Sequence, residues 1–220
     1  MKIVVLGSNG MAGHVVTAEL QLRSAFHVVG VARSNGPYVD EILDCSNFDA
    51  LESYLAASRP TVVVNCVGVL VAESARNVGN AILMNSYLPH RLSESGRKLQ
   101  FRTVHISTDC VFSGRDGGYR EDSKRDGDDN YARTKALGEL YNDIDLTVRT
   151  SIIGPELGEN GSGLLDWFFK QSSQIDGYSE AYWSGVSTLE LAKAIRELIH
   201  QDISGIYHLC AEEKISKLEL

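Results

Sequence analysis

Tyr131 and Lys135 stand four residues apart in a helix-compatible stretch, so a phenol and an ammonium share one helix face and can enter the same cleft. That pair suits proton delivery to a carbonyl oxygen. A free phenol titrates at about 10, and a neighbouring positive charge is expected to lower that value toward neutrality. Ser107-Thr108-Asp109-Cys110 closes the apolar run from Phe101 to Ile106. Open parallel sheets place their ligand groups at such strand ends. Thr108 offers a hydroxyl to hold a substrate carbonyl beside Tyr131, and Asp109 and Cys110 are expected to face the same substrate.

A second chemical signal lies near the start of the chain. Gly7-Ser8-Asn9-Gly10-Met11-Ala12-Gly13 follows the apolar run Ile3 to Leu6 and leads directly into an amphipathic segment. Gly7 suits a tight turn, Gly10 admits a pyrophosphate close to the backbone, and Gly13 lets helix and strand pack closely. The helix that opens there presents free N–H groups and the positive end of its dipole to an anion. The second apolar run ends in Val31-Ala32-Arg33-Ser34, a position where NAD-specific proteins carry a carboxylate for the ribose hydroxyls. A guanidinium and a hydroxyl suit a ribose 2′-phosphate instead. NADPH is therefore the expected cofactor, with NADH as the alternative.

These groups need a scaffold. Apolar runs at Ile3–Leu6, His27–Val31, Thr61–Asn65, Phe101–Ile106 and Leu146–Arg149 alternate with helix-compatible stretches at 11–22, 46–57, 81–96 and 130–142. Val and Ile on both parities imply burial on both faces, hence an α/β, Rossmann-type doubly wound parallel sheet over residues 1–150. Residues 114–130 are polar and glycine-rich, too long for an ordinary connection, and are expected to border the substrate through Tyr119 and Glu121. Residues 151–220 are expected to form a small substrate-side lobe, incomplete at its C-terminus. It would hold helices at Leu164–Lys170 and Thr188–His200, a strand at Gly205–Leu209, and a last helix face carrying Ile215, Leu218 and Leu220.

Composition narrows the partners. The chain has 220 residues, 43% of them hydrophobic, and a net charge of −8, so it can bury a core of its own and lacks the basic footprint of a nucleic-acid or anionic-membrane binder. Cys45, Cys66, Cys110 and Cys210 are far apart and the six histidines have no ligand spacing, so no metal site is expected. The strand and glycine turn follow Met1 at once and no apolar run reaches membrane-spanning length. A cytoplasmic location is expected.

Taken together, the chain resembles the extended short-chain dehydrogenase/reductase family, in its dTDP-4-dehydrorhamnose reductase-like branch. The resemblance rests on Gly7-x2-Gly10-x2-Gly13, Ser107-Thr108-Asp109-x-Val111-Phe112-x-Gly114, Tyr131-x3-Lys135 with Gly138-Glu139 behind it, Arg149-Thr150-Ser151 and Trp183-Ser184-Gly185-Val186. It implies a catalytic Thr108, Tyr131 and Lys135, with Lys135 also bonding the nicotinamide ribose. It further implies reduction of the 4-keto group of a nucleotide-activated deoxysugar for cell-surface polysaccharide, and it allows a homodimer.

The resemblance also implies that Asp44 bonds the adenine amino group, although capping of the next helix is an equal reading, and that Cys66 and Val67 lie beside the ribose. Asn85 is either an internal hydrogen-bonding residue or a catalytic one. Arg149 would pair with the nucleotide diphosphate or with an internal carboxylate. Trp183 would stack on substrate or fill the lobe's core. Cys110 departs from the branch, which often carries Tyr there. That position opens an alternative resemblance to the GDP-fucose synthase epimerase-reductases, although no His follows Gly154-Pro155 as that chemistry requires. A third reading is a non-catalytic NADP(H)-binding regulatory subunit.

Overall fold

The computed structural model describes residues 1–158, 161 and 163–220. Strand β1 (Lys2–Leu6) illustrates why these residues make a sheet. Ile3 and Val5 point to one face and Val4 and Leu6 to the other, and all four are fully buried, as befits a β-branched run covered by helices on both sides. Helix α1 (Met11–Gln21), β2 (His27–Ala32), the two-residue β3 (Glu41–Ile42), α2 (Phe48–Ser58) and β4 (Val62–Asn65) follow. Asn47 accepts the Ala50 N–H to open α2, and Arg59 closes it in the left-handed region at φ 48°.

Two short helices, α3 (Val71–Arg76) and α4 (Val78–Ala81), lead into a π-helical turn, Ile82–Tyr87, which continues as α5 (Leu88–Leu99). Strand β5 (Arg102–Thr108) ends in a 3-10 turn, Asp109–Val111, and α6 (Asn130–Leu137) and β6 (Leu146–Thr150) complete this part. Then come β7 (Ile152–Ile153), α7 (Leu164–Phe169), β8 (Tyr182–Trp183), β9 (Val186–Ser187), α8 (Thr188–His200), β10 (Gly205–Leu209) and β11 (Ile215–Ser216).

The main sheet has seven parallel strands in the order β10-β6-β5-β4-β1-β2-β3. Strand order reverses between β1 and β4, which opens the crevice where such sheets bind ligands. Helices α1 and α8 cover one face through Val16, Leu20, Leu191, Ile195 and Ile199, while α2 and α5 cover the other through Leu51, Leu55, Leu88 and Leu92.

Three expectations change. The layers do not divide at residue 150: α8 packs on α1, and β10 pairs with β6 from Leu146↔Gly205 to Thr150↔Leu209. Among the described residues after β6, those from Ser151 to Ser187 and those after β10 lie outside the main sheet and its covering helices. Ile215 sits in β11, paired antiparallel with β8, so the last helix face is absent; three apolar residues within six positions also fit a short strand and turn. The 81–96 segment is helical but widened by its π turn, because Asn85 is drawn inward to accept the Val69 N–H at 2.7 Å and to donate to the Val69 carbonyl at 2.9 Å.

Residues 112–129 contain no helix or strand, as their polarity suggested, yet they are firmly held. Tyr119 stacks on Phe112 at 4.4 Å and 4°. Ser113 donates to Asp126 at 2.6 Å, and Glu121 accepts the His208 N–H on β10 at 2.9 Å.

Candidate active site

Strand β5 delivers Thr108 to the C-terminal end of the sheet, and α6 brings Tyr131 and Lys135 alongside it. Asp129 opens α6 by accepting the Ala132 N–H at 2.7 Å, so Tyr131 lies in the first turn and Lys135 one turn later. Gly138, just past α6, lies against the Asn85 backbone without room for a β-carbon. Asn85 also donates to Thr134 Oγ1 at 3.2 Å and Ser86 Oγ to the Thr134 carbonyl at 2.7 Å, fixing α6 on the π turn. Of the two readings of Asn85, the structure contains the internal one.

Lys135 Nζ donates to the Ile106 carbonyl at 2.6 Å, and burial pulls its ammonium down to about 8, against the raising influence of Glu139. Tyr131 is pushed up to about 12 because burial disfavours the phenolate, with only the Thr108 hydroxyl opposing that shift. The expected lowering of Tyr131 by Lys135 is therefore corrected: burial and the acidic groups of Cys110, Asp109 and Asp129 all push the phenol up, and it holds its proton at neutrality. Thr108 Oγ1 accepts the Cys110 N–H at 3.1 Å and donates to Asp109 at 3.2 Å.

The glycine turn meets the anion site's steric demands. Gly7 has φ 81°, and a β-carbon there would press on the backbone of Cys66 and Val67 at 3.1 Å, which sets the end of β4 against the turn. A β-carbon on Gly13 would overlap the Gly7 carbonyl. No side chain caps the start of α1 at Gly10, and the buried Ser8 Oγ has no partner among the described residues. The first-turn N–H groups of Met11, Ala12 and Gly13 thus remain for an anion. Arg33 and Ser34 lie exposed just past β2. Asp44 is exposed too; it accepts the Ser46 N–H at 2.9 Å, and the Ser46 backbone and hydroxyl hold its carboxyl below the usual range. Capping of α2 falls to Asn47 instead.

A cleft of 720 Å³ opens beside Thr108, lined among others by Asp109, Cys110, Tyr119, Trp183, His208 and Cys210. Trp183 is half-buried on β8 and donates to Ser151 Oγ at 2.8 Å. Cys110 lines the cleft; desolvation by the surrounding protein raises its thiol pKa, and so does Asp109, to which the thiol donates weakly at 3.6 Å. Arg149 also borders this cleft, but its guanidinium is 1% exposed and grips Glu139 through Nε at 2.7 Å and Nη2 at 2.8 Å. The internal carboxylate is its partner, and the diphosphate reading of Arg149 is withdrawn. Glu139 accepts as well from Arg125 at 3.1 Å and from Ser107 Oγ at 2.9 Å. His208, which no local motif marks, accepts from Arg149 Nη1 at 3.1 Å.

The model of the RmlD substrate binding domain matches residues 1–220. The chain belongs to that family. It is 27% identical over 212 residues to the dTDP-4-keto-6-deoxy-D-glucose reductase of Streptomyces niveus, covering 93% of this chain and 71% of that protein. It is 25% identical over 235 residues to the methionine adenosyltransferase 2 subunit beta of Xenopus tropicalis, covering 100% and 70%. Among solved structures, a hypothetical dTDP-4-dehydrorhamnose reductase from Sulfolobus tokodaii superposes with a TM-score of 0.87 at 28% identity, covering 100% of this chain and 79% of that one. Neighbours of the same fold have been solved with NADP and with NAD+. The resemblance to sugar-nucleotide reductases and the Rossmann-type parallel sheet are thus both established. No helix among the described residues is long and apolar enough to cross a membrane, and no group of three or more His, Cys, Asp or Glu among them could hold a metal ion.

Proposed function

We propose that this chain reduces the 4-keto group of a nucleotide-activated 6-deoxysugar with NADPH, in the cytoplasm, yielding the 4-hydroxy sugar for cell-surface polysaccharide. The observation that carries the reading is the convergence of Thr108, Tyr131 and Lys135 at the C-terminal end of β5, with an uncapped helix start and an unpartnered Ser8 hydroxyl across the crevice. Bound NADPH supplies the hydride. The turn from Gly7 to Gly13 holds the diphosphate, Arg33 and Ser34 face the 2′-phosphate, and Asp44, Cys66 and Val67 border the adenosine and ribose.

Tyr131 donates the proton. Its phenol is still protonated at neutral pH because of its burial, which is the form a reduction requires at the developing alkoxide. The Thr108 hydroxyl holds the same oxygen by turning its hydrogen from Asp109. The positive charge of Lys135, fixed by the Ile106 carbonyl, favours the negative charge that passes to Tyr131. Asp109, Cys110 and Trp183 wall the sugar, and the pre-set geometry removes orientational freedom before reaction.

The test is NADPH oxidation across a panel of 4-keto nucleotide sugars, with Tyr131→Phe as control. Tyr131→Phe should lower turnover by at least about a hundredfold and leave NADPH binding near normal. Full turnover in that variant refutes the assignment. The whole-chain likeness to a methionine adenosyltransferase subunit supports a second reading, a non-catalytic NADP(H)-binding subunit. NADPH binding without oxidation over the entire panel would favour it.

A further inference from the structure

We propose that Asn9 is a positioning residue that sets the preference for NADPH over NADH by clamping the segment from Arg33 to Gly36 against the glycine turn. This rests on the NADP(H) reading above. The Asn9 side chain does not point toward the diphosphate site. Its Nδ2 donates to the Ser34 carbonyl at 2.8 Å and reaches the Asn35 carbonyl at 3.3 Å and Ser34 Oγ at 3.4 Å. Its Oδ1 is buried without a hydrogen-bond partner among the described residues. Gly36 lies so close that a β-carbon there would overlap that oxygen. One amide is thus bonded at its nitrogen and packed at its oxygen by the segment that carries Arg33 and Ser34.

Nothing else in the backbone makes that link among the described residues. Gly7 and Ser8 both donate to the Val31 carbonyl, two residues short of Arg33, and the chain is tied back to β2 only from Asp40 onward, where Asp40 donates to Gly30 and Leu43 to Ala32. Val39 donates to Gly36, which closes the far side of the segment on itself. Between those points Asn9 decides where the guanidinium and the Ser34 hydroxyl stand relative to the helix start. A dinucleotide presents its diphosphate and its 2′-substituent at a separation fixed by one ribose. A clamp between the two protein elements therefore prepares both contacts at once and spares the ordering of the segment on binding. NADH has no 2′-phosphate and draws nothing from the clamp.

The experiment measures the Kd of NADPH and of NADH by fluorescence titration for the wild-type chain, Asn9→Ala, Gly36→Ala, Arg33→Ala and the Asn9→Ala/Arg33→Ala double variant. Circular dichroism and the Tm of each confirm folding. Asn9→Ala should weaken NADPH about tenfold, the worth of one to two net hydrogen bonds, and change NADH by less than about twofold. Gly36→Ala should give the same selective loss without touching Asn9, because its β-carbon must displace Oδ1. In the double variant the NADPH loss should not exceed that of Arg33→Ala alone, since both changes disable one contact. Equal loss of both cofactors in Asn9→Ala, or, where Arg33→Ala itself weakens NADPH, additive losses in the double variant, would overturn the proposal and leave Asn9 a structural part of the turn. An Arg33→Ala variant with unchanged NADPH affinity would refute Arg33 as the phosphate reader. The NADPH-to-NADH ratio in Asn9→Ala decides the role of Asn9 even then: an altered ratio supports the clamp acting through Ser34, and an unaltered one overturns it.

Discussion

Replacing Glu139 by Gln removes one charge and almost no volume from a fully buried carboxylate. That side chain is fully buried and takes two hydrogen bonds from Arg149, one from Arg125 and one from Ser107. Gln can accept at one oxygen only, and its amide nitrogen would face guanidinium N–H groups. The Arg149 charge, 1% exposed, would then lie in the interior without a counter-charge. Breaking a buried pair from one side costs about 3 to 5 kcal/mol. At roughly 2 to 4 °C per kcal/mol for a chain of this size, the Tm should fall by roughly 6 to 20 °C, as read by far-UV circular dichroism or calorimetry. Removing both members, in Glu139→Leu/Arg149→Met, should recover much of that loss, because the one charge left without its carboxylate, Arg125, is partly exposed to solvent. A Glu139→Gln variant that melts within about 2 °C of the wild type, or a double variant no more stable than the single one, would refute the view that this pair is a coupled buried unit.

Three further outcomes follow from the site. With Lys135 at about 8 and Tyr131 at about 12, the ammonium is charged below about pH 8 and neutral above it, so kcat/KM should fall as pH rises through about 8 while the phenol is still protonated; a flat profile from pH 7 to 9.5 would remove Lys135's charge from the mechanism. Gly13→Ala should abolish cofactor binding and lower the Tm as well, since the overlap falls on the Gly7 backbone where helix and turn pack; retained binding by fluorescence titration would contradict the cradle. Cys110→Ser should keep most turnover, and 4-keto substrate in deuterated water should gain no deuterium beside the ketone; Cys110-dependent incorporation seen by mass spectrometry would promote the epimerase-reductase reading.

Long, strongly patterned segments could be read from the sequence and short or tertiary features could not. Thr188–His200 and Gly205–Leu209 fall where their apolar spacing put them. Strands β3, β7, β8, β9 and β11 have two residues each, too few for an alternation to register. A six-residue π turn is too short to impose a period of its own, so Ile82–Tyr87 leaves no mark in the sequence and is evident only in the bonds of Asn85 to Val69. The glycine turn and the Thr108, Tyr131, Lys135 set carry their chemistry in residue type and spacing. Arg149 does not, because its partner depends on how β6 faces the segment after α6. The direction of the Tyr131 shift was equally hidden, since it is set by burial, which the sequence does not state, and by the acidic groups of Asp109, Cys110 and Asp129 that the fold gathers around the phenol.

The pairing of β10 with β6 and of α8 with α1 gives the order of synthesis a consequence for folding. The side of the sheet that α8 covers stays open until α8 itself has left the ribosome, because Arg196 on α8 meets Glu19 on α1 across 177 positions of chain. Until then Leu20 and Val16 have no helix beside them, and β6 is an edge strand with a free row of amides. Closing so long a loop must precede any gain from the contacts it makes. A nascent chain stalled after β6 would therefore present a sticky helix face and an unpaired strand together, which makes the interval between residues 150 and 209 the stretch of synthesis most dependent on a chaperone.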